Sequence, residues 1–291
     1  MKNNKQILVT GGAGFVGTNL IKLLLKKTSY KIVSIDNYTS GTKLNHIRSP
    51  RVKYIKGNTA NISKFVKNPN KIKTIFHFGE FARIYQSFLK MDQCIESNSI
   101  GTNAIFNFCL KHKVKLIYSA TSASLGNKGN DRNLSPYAFT KAKNLELLEN
   151  LKKWFNFKYE VIYFYNVYGP HQICRGQMST VIGIFEDHYK RKEPLPVVLP
   201  GTQTRRFTHI SDTVEICYLA WKKNLCRHYS IASKKSYSVL EVAKIFKSKI
   251  KFLPRRKGER YASALTKMNL SNKIYKHFGK IKLKDYIHDL I

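Results

Sequence analysis

The sequence predicts a doubly wound parallel α/β sheet with a smaller, mixed α/β lobe in the C-terminal half. Three observations support this class. Strand-like and helix-like runs alternate through the first half of the 291-residue chain, as in a parallel sheet covered by helices on both faces. A glycine-rich stretch joins the first strand-like run to the first helix-like run. From about residue 170, shorter elements follow, punctuated by glycine and proline.

The glycine-rich stretch occupies residues 10–17 and reads TGGAGFVG. Gly11 allows a tight turn, Gly14 lets the backbone approach a phosphate, and Gly17 lets the helix pack closely on the strand. A pyrophosphate would then lie at the helix N-terminus, among free amide donors and the positive end of the helix dipole. The stretch therefore predicts a dinucleotide site, and its predicted cofactor contacts are Gly11, Gly14, Phe15, Val16 and Gly17.

An acidic residue follows the next strand-like run. The run 31–35 ends in Asp36, whose carboxylate would accept hydrogen bonds from the hydroxyls of the adenosine ribose. The same charge would repel the 2′-phosphate of NADP, so Asp36 favours NAD. Lys43 follows closely enough to keep NADP as the alternative.

The remaining runs of the first half continue the alternation. Strand-like runs lie at 52–55, 74–79, 115–119 and 160–165, and helix-like runs lie at 61–68, 92–112 and 136–155. Ligands of such sheets bind beyond the carboxyl ends of the strands. We therefore expect a dinucleotide-binding domain over 1–169 and a smaller substrate-binding lobe over 170–291, with part of 207–232 returning to the main domain.

The longest helix-like run, 136–155, carries an apolar stripe. Leu145, Leu148, Leu151 and Phe155 recur at helical spacing, which indicates the core or a dimer interface rather than a ligand site.

The composition limits the cellular setting and the partners. No apolar run reaches the ~20 residues that cross a bilayer, and no secretory signal precedes the first strand-like run. The five cysteines have no metal-like spacing, so we expect free thiols, no metal and a reducing cytoplasm.

The formal net charge of +35 suits either a polyanionic partner or a lysine-rich solvated surface. Because the basic residues are dispersed and no nucleic-acid motif accompanies them, we favour the surface.

Three residues form a candidate catalytic set. Lys141 lies four residues after Tyr137 at the start of the run 136–155, so both side chains project from one helix face. A nearby ammonium lowers the pKa of a phenol and makes it a usable general base. Thr121 ends the preceding strand and would bring a hydroxyl to the same place. Beside a nicotinamide, this set removes the proton of an alcohol whose carbon gives up hydride.

The chain resembles the extended short-chain dehydrogenases/reductases, in the group of nucleotide-sugar epimerases and dehydratases. The resemblance covers nearly the whole chain. It rests on the segments TGGAGFVG (10–17), DN (36–37), HFG (77–79), Asn98 with GT (101–102), Thr121, YAFTK (137–141), YNVYGP (165–170), GTQTR (201–205) and RKGE (256–259).

The resemblance implies a Rossmann-type fold, NAD as cofactor and a nucleotide-diphosphate sugar as substrate. Tyr137 would be the base, Lys141 its electrostatic partner and a ribose ligand, and Thr121 the proton relay or a ligand of the sugar hydroxyl. The implied cofactor contacts also include Asn37, Asn58, Phe78 and Asn98. The implied substrate contacts are Thr121, Ser122 and Asn166, with Arg205 and Arg256 as a clamp on the diphosphate.

Departures from the family pattern narrow the choice among the reactions that this family catalyses. Dehydratases of this group follow the catalytic threonine with Asp-Glu, and the decarboxylating relatives need a glutamate at the second position, whereas this chain has Ser122 and Ala123. We therefore expect a 4-epimerase that acts through a transient 4-keto sugar, in the synthesis of surface polysaccharide or glycoconjugates. A nucleotide-sugar reductase, dehydrogenase or 4,6-dehydratase is the alternative, followed by a non-catalytic RNA- or cofactor-binding protein.

Four further departures concern single positions. Asn58 stands where relatives usually have aspartate beside the adenine, and Arg206 has no assigned role. Glu80 and Arg83 are also unusual. They would lie near the substrate, where they either recognise an uncommon sugar or form a structural ion pair.

The resemblance also implies a homodimer. The helices near 92–112 and 136–155 would pair with their copies in a four-helix interface.

Overall fold

The computed structural model describes residues 5–125, 133–256 and 274–291. The strands of these residues are β1 (Gln6–Thr10), β2 (Lys31–Asp36), β3 (Val52–Lys56), β4 (Ile72–His77), β5 (Lys115–Thr121), β6 (Tyr159–Phe164), β7 (Val167–Tyr168), β8 (Leu195–Val198), β9 (Thr204–Arg206), β10 (Thr208–His209), β11 (His228–Ala232), β12 (Ser236–Ser238), β13 (Ile250–Leu253) and β14 (Ile274–Phe278). The helices are α1 (Phe15–Lys27), α2 (Ile62–Phe65), α3 (Ile84–Leu89), α4 (Met91–Ile95), α5 (Thr102–His112), α6 (Pro136–Phe155), α7 (Val181–Lys190), α8 (Ile210–Lys223), α9 (Val239–Ile245) and α10 (Leu283–His288).

An eight-stranded parallel sheet forms the centre of the molecule. Its strand order is β14-β11-β6-β5-β4-β1-β2-β3, and every neighbouring pair runs parallel. The order reverses direction at β1, so the connections leave on opposite faces and the strand ends around β1 open a crevice. This confirms the predicted Rossmann-type class.

Both faces of the sheet are buried by helices. On one face, Leu8 of β1 belongs to a core with Phe106 of α5 and Leu148 of α6. On the other face, Ile7 of β1 packs with Leu20 of α1 and with α8. Successive residues of one strand thus serve opposite cores, because side chains alternate across a strand. Each such side chain contributes about 1.5–3 kcal/mol when it is fully buried.

Two strands from the C-terminal half extend the main sheet. β11, which lies within the segment 207–232, pairs with β6. α8, from the same segment, packs on α1 and β6. β14 pairs with β11 at the sheet edge, a strand that the sequence analysis did not anticipate. A separate core, which includes Phe185, Phe207 and Phe246, joins α7, α9 and α10 to β8.

Helix boundaries differ from the sequence expectation in two places. The run 61–68 is helical only over α2, and Pro69 begins a separate 3-10 turn. The run 92–112 consists of α4, a π-helical segment (Glu96–Gly101) and α5. The wider π turn rotates the side chains that follow it, and such segments are frequent at functional sites.

The apolar stripe of α6 is mostly core. Leu148 and Leu151 are buried, whereas Phe155 at the helix end is 62% exposed. Among the described helices, none combines the length and apolar character that crossing a membrane requires.

Candidate active site

A cavity of about 740 Å³ opens where the strands of the main sheet end. Its wall combines the glycine turn after β1, the residues that follow β2, β4 and β5, the start of α6, and the segment 178–182. The predicted site residues in this wall are Gly11, Gly14, Phe15, Val16, Gly17, Asp36, Asn37, Asn58, Phe78, Arg83, Thr121, Ser122, Tyr137, Lys141, Asn166 and Arg205. The wall of one cavity therefore brings together predicted site residues that are up to 194 positions apart in the chain, from Gly11 to Arg205.

The glycine turn leaves no room for side chains at two positions. Gly11 has φ +68°, and a Cβ there would lie 2.8 Å from the carbonyl of Phe78. A Cβ on Gly17 would lie 2.2 Å from the carbonyl oxygen of Gly11. Gly14 precedes α1 with an extended backbone, so the first amides of the helix face the cavity. The turn is shaped for backbone contact with a phosphate.

Asp36 connects the end of β2 to this turn. Its carboxylate accepts hydrogen bonds from the amides of Ala13 (2.9 Å) and Tyr38 (2.8 Å). Burial raises the pKa of Asp36, and the two amide hydrogen bonds oppose that rise. Each carboxylate oxygen keeps a second lone pair, which suits the hydroxyls of a ribose.

Asn58 is held by its neighbours at the other side of the cavity. Its side-chain oxygen accepts from the amide of Ala60 (3.0 Å), and its amide nitrogen donates to Glu96 (2.8 Å). Glu96 belongs to the π segment and also lines the cavity. No motif in the sequence predicts Glu96 as a site residue, because its proximity to Asn58 depends on the π turn.

The catalytic candidates meet at the start of α6. Ser135 caps this helix by accepting from the amide of Ala138 (3.1 Å), and Pro136 occupies its first turn. Tyr137 therefore lies in the first helical turn, where its phenol hydrogen-bonds with Thr121 at the end of β5. The predicted neighbourhood of Thr121, Tyr137 and Lys141 is present in the structure.

The environment of Tyr137 differs from the sequence expectation. The pKa of this phenol is raised to about 12, mainly by burial; Glu80 also raises it, while the hydrogen bond from Thr121 and the charge of Arg83 lower it. The expected lowering by the neighbouring ammonium is not found in this structure. The pKa is raised mainly by burial, and Lys141 itself forms a buried ion pair with Glu80.

Lys141 is fixed by three contacts. It pairs with Glu80, donates to the carbonyl of Ser119 (2.6 Å), and lies 4.8 Å from the ring centre of Tyr118. Burial lowers the pKa of Lys141, and Glu80 opposes that change. The structural ion pair considered for Glu80 and Arg83 is therefore replaced by a pair between Glu80 and Lys141.

Arg83 is bound to backbone carbonyls. Its Nε donates to Met178 (2.9 Å), and its Nη1 donates to Ala82 (2.7 Å). It attaches the segment around Met178 to the cavity wall. The sequence contained no signal for Met178, which reaches the cavity only through tertiary packing.

The far end of the cavity contains Asn166 and Arg205. Asn166 has φ +38° and donates to the carbonyl of Arg206 (3.0 Å), and Arg205 donates to the carbonyl of Thr204. Arg206, which had no assigned role, donates to the carbonyls of Ser233 and Lys234. Arg206 therefore has a structural role between β9 and the end of β11.

Two predicted contacts lie outside the cavity wall. Asn98 is 0% exposed, and its amide exchanges hydrogen bonds with the backbone of Phe81 and donates to Thr140. In this structure the polar atoms of Asn98 are bonded within the interior, and its role as a cofactor contact stays a prediction. Arg256 is exposed and lies 5.4 Å from the ring centre of Tyr85, near the cavity rim. The rest of its motif, residues 257–259, lies outside the described residues.

Comparisons with known proteins agree with this arrangement. The ADP-L-glycero-D-manno-heptose-6-epimerase of Brachyspira hyodysenteriae is 29% identical, over 83% of this chain and 80% of that protein. The dTDP-D-glucose 4,6-dehydratase of Bos taurus is 28% identical, over 82% and 71% of the two chains.

A solved structure matches the whole described fold. It is a mutant UDP-glucuronic acid 4-epimerase from Bacillus cereus in complex with NAD and UDP-4-deoxy-4-fluoro-glucuronic acid. The TM-score is 0.82 at 25% sequence identity, and the match covers 98% of this chain and all of that chain. The glycine turn, which has no space for a Cβ at Gly11, and the acceptor oxygens of Asp36 fit the same cofactor.

A family model assigns the chain directly. The model of the NAD dependent epimerase/dehydratase family matches residues 7–232, which include the glycine turn, the catalytic candidates and Arg205. The chain therefore belongs to the NAD-dependent epimerase/dehydratase family, and its cofactor is NAD.

Proposed function

We propose that the protein is a nucleotide-sugar 4-epimerase that acts through a transient 4-keto sugar. The observation that carries this proposal is the group of Thr121, Tyr137 and Lys141 in one cavity, with Ser122 and Ala123 at the positions where eliminating relatives have carboxylates. This group can remove and restore a hydroxyl proton, but it offers no acid and base for loss of water.

The residues have distinct roles in this reaction. NAD, held by the glycine turn and Asp36, would supply the hydride acceptor and donor for oxidation and reduction at the sugar carbon. Tyr137 accepts the proton of the sugar hydroxyl and later returns it. Thr121, hydrogen-bonded to that phenol, orients the hydroxyl or relays its proton. Lys141 holds the ribose side of the site through its remaining N–H group.

The carboxylates of the cavity support epimerisation over elimination. Among the described residues, the acidic side chains in its wall are Asp36, Glu80 and Glu96. Asp36 is bonded to the glycine turn, Glu80 to Lys141, and Glu96 to Asn58. None of these three occupies the two positions after Thr121, where eliminating relatives carry their acid and base.

We assign the diphosphate of the substrate to Arg205, with Arg256 as a second cation at the rim. A guanidinium group binds phosphate oxygens in pairs, and Arg205 lines the end of the cavity that also holds Asn166. Arg83 and Ser122 line the wall between this end and Tyr137, where the sugar would lie. We place the reaction in the synthesis of surface polysaccharide or glycoconjugate precursors.

A panel of sugar nucleotides tests the reaction. The purified protein is incubated with UDP-, GDP- and dTDP-sugars, with and without added NAD(P)H, and the products are analysed by NMR. We expect inversion at C4 of one sugar, without net change in the absorbance of reduced nicotinamide. Stoichiometric consumption or production of reduced cofactor would show a reductase or dehydrogenase instead, since the same three residues serve that reaction. A 4-keto-6-deoxy product would show a dehydratase.

We also propose a homodimer formed by α6 and the helical stretch 91–112. The π segment packs against α6, and this surface carries exposed apolar side chains, with Ile100 57% and Phe139 42% exposed. Burying such side chains against a second copy would remove them from water.

A further inference from the structure

We propose that Glu80 is a positioning residue that fixes the ammonium of Lys141 in the cavity wall that Lys141 shares with Tyr137. This inference rests on the proposed function, in which Tyr137 is the base. It starts from the position of Glu80: the residue follows β4, lines the cavity, and has a side chain only 2% exposed. A carboxylate at that depth is stable as an anion only when it is paired and hydrogen-bonded.

Glu80 is bonded on both carboxylate oxygens. One oxygen contacts the ammonium of Lys141 and the hydroxyl of Ser119 (3.4 Å). The other accepts from the hydroxyls of Thr102 and Tyr118, each at 3.0 Å. Donors from several elements therefore fix this carboxylate, so it forms a rigid anchor for the ammonium.

A chain of hydrogen bonds runs from Glu80 to the glycine turn. The donor and the acceptor of each bond follow from the bond before it. Thr102 donates to Glu80, so it accepts from Nε2 of His77 (3.0 Å). Nδ1 of His77 then accepts from the hydroxyl of Thr10 (2.7 Å), which itself accepts from the amides of Phe78 and Gly79. Burial lowers the pKa of His77 to about 4, so this imidazole is neutral. The chain of bonds places Glu80 relative to the turn that holds the cofactor.

Two of the three N–H donors of Lys141 are already used. One contacts Glu80 and one donates to the carbonyl of Ser119, which leaves one for a ligand. Glu80 thus decides where that last donor points. It also cancels much of the positive field that Lys141 would exert on Tyr137, because the two opposite charges are in contact.

The other charged and titratable groups near Tyr137 differ in their effects. Arg83, from the segment after β4, lowers the pKa of the phenol, whereas Cys94 of α4 raises it. Removing the charge of Glu80 while Lys141 remains should therefore let the Tyr137–Lys141 pair lose its proton at lower pH. The two groups titrate together, so the prediction concerns the first proton lost by the pair.

The test compares Glu80→Gln with a matched control, Glu160→Gln. Glu160 is also fully buried and paired with a lysine, Lys115 at 2.8 Å, but it lies at the opposite end of the strands. In the NAD-loaded protein, the ionisation of the phenol is followed by ultraviolet difference spectroscopy against the same variant carrying Tyr137→Phe. We expect ionisation about one pH unit or more lower in Glu80→Gln than in wild type, and no shift in Glu160→Gln.

This readout does not require turnover, so it separates the inference from the proposed reaction. If a sugar is epimerised, the acid limb of the kcat/KM profile should move to lower pH in Glu80→Gln by the same amount, and Glu80→Asp should restore the wild-type limb. An unchanged phenol ionisation in Glu80→Gln would overturn the role of Glu80 whatever the sugar panel shows.

A second pair of variants tests the same inference in case the single variant Glu80→Gln does not fold. Lys141→Met keeps the carboxyl group of Glu80 and its hydrogen bonds from Thr102 and Tyr118, whereas the double variant with Glu80→Gln replaces the ion pair by two neutral side chains. We expect the phenol to ionise at lower pH in the double variant than in Lys141→Met. Equal ionisation in the two would contradict the inference.

Discussion

At Tyr137, burial and hydrogen bonding act on the phenol in opposite directions. Burial raises its pKa and the contact with Thr121 lowers it, and the net result is a pKa of about 12. If Tyr137 is the base, as proposed, its deprotonated phenol is the active form, so turnover should rise with pH over the range in which the protein is stable. The sequence predicted the neighbours of this phenol correctly, but not the anion that offsets the charge of Lys141.

The first prediction concerns Tyr137→Phe. It removes the base while the ring still fills the same space, so turnover should fall about a hundred- to ten-thousand-fold. NAD affinity, measured by titration, should change little. The matched control is Tyr229→Phe, which removes a buried hydroxyl of β11 that has no hydrogen-bond partner among the described residues. Wild-type turnover in Tyr137→Phe would show that Tyr137 is not the base.

The second prediction concerns His77. Its folded pKa of about 4 lies below the ordinary value of 6.5 because the imidazole is buried. Between these values the unfolded chain binds a proton that the native protein does not, so stability rises with pH and is lost on acidification. Protonation of His77 in the unfolded chain should by itself lower the free energy of unfolding by about 3 kcal/mol as the pH falls from 6.5 to 4.

Urea unfolding of wild type and His77→Gln across this pH range measures the contribution of His77 to the pH dependence of stability. The variant should be less stable at neutral pH, because it loses the contacts with Thr10 and Thr102, but its stability should depend less on pH. Parallel pH profiles for the two proteins would contradict the assignment of a neutral, buried imidazole.

At the scale of elements, the turn between β1 and α1 holds the strand and the helix unusually close. A Cβ at position 17 would lie 2.6 Å from the Cα of Gly12 as well as meeting the carbonyl of Gly11. A backbone contact cannot be relieved by a side-chain rotation, so the helix itself would have to move. The motif alone predicted this close approach, since its cause is local in the sequence.

The third prediction follows from that distance. Gly17→Ala should destabilise the ligand-free protein by about 1–3 kcal/mol and weaken NAD binding. Gly14→Ala is the matched change in the same turn: a Cβ there would lie 3.2 Å from the carbonyl oxygen of Gly11, a milder overlap than the 2.2 Å at Gly17, so it should destabilise the protein less than Gly17→Ala. Equal unfolding temperatures for the two variants, in thermal scans without ligand, would contradict the packing argument.

The stretch 91–112 shows where element prediction from sequence fails. Helical periodicity predicted one continuous helix, whereas a π segment separates α4 from α5. The π turn orients Glu96 toward the cavity and Asn98 toward the interior. Periodicity does not contain this information, because the extra residue in the turn is accommodated by contacts with α6 and with the loop after β4.

The fourth prediction concerns the whole molecule as a dimer. Phe139→Asp and Ile100→Asp place charges on the surface formed by α6 and the π segment, so they should lower the sedimentation coefficient to that of a monomer. Phe252→Asp is the control, since Phe252 is 51% exposed on β13, away from this surface. A wild-type protein that sediments as a monomer at micromolar concentration would refute the dimer.

The fifth prediction uses the net charge of +35. A strongly positive protein attracts anionic substrates, and salt screens that attraction. KM for a sugar nucleotide should therefore rise several-fold between about 0.01 M and about 0.15 M salt, while kcat changes little. Inhibition by the uncharged nucleoside should not depend on salt, and a salt-independent KM would exclude steering by the protein charge.

The sequence by itself determined the sheet class, the glycine turn with Asp36, and the set of Thr121, Tyr137 and Lys141. These features depend on periodicity and on spacings of a few residues, which local backbone geometry converts directly into position. Only the tertiary structure decided that Glu80 pairs with Lys141, that Asn98 faces the interior, and that β14 completes the sheet. Each of these depends on contacts between segments distant in sequence, where burial and charge choose the partner.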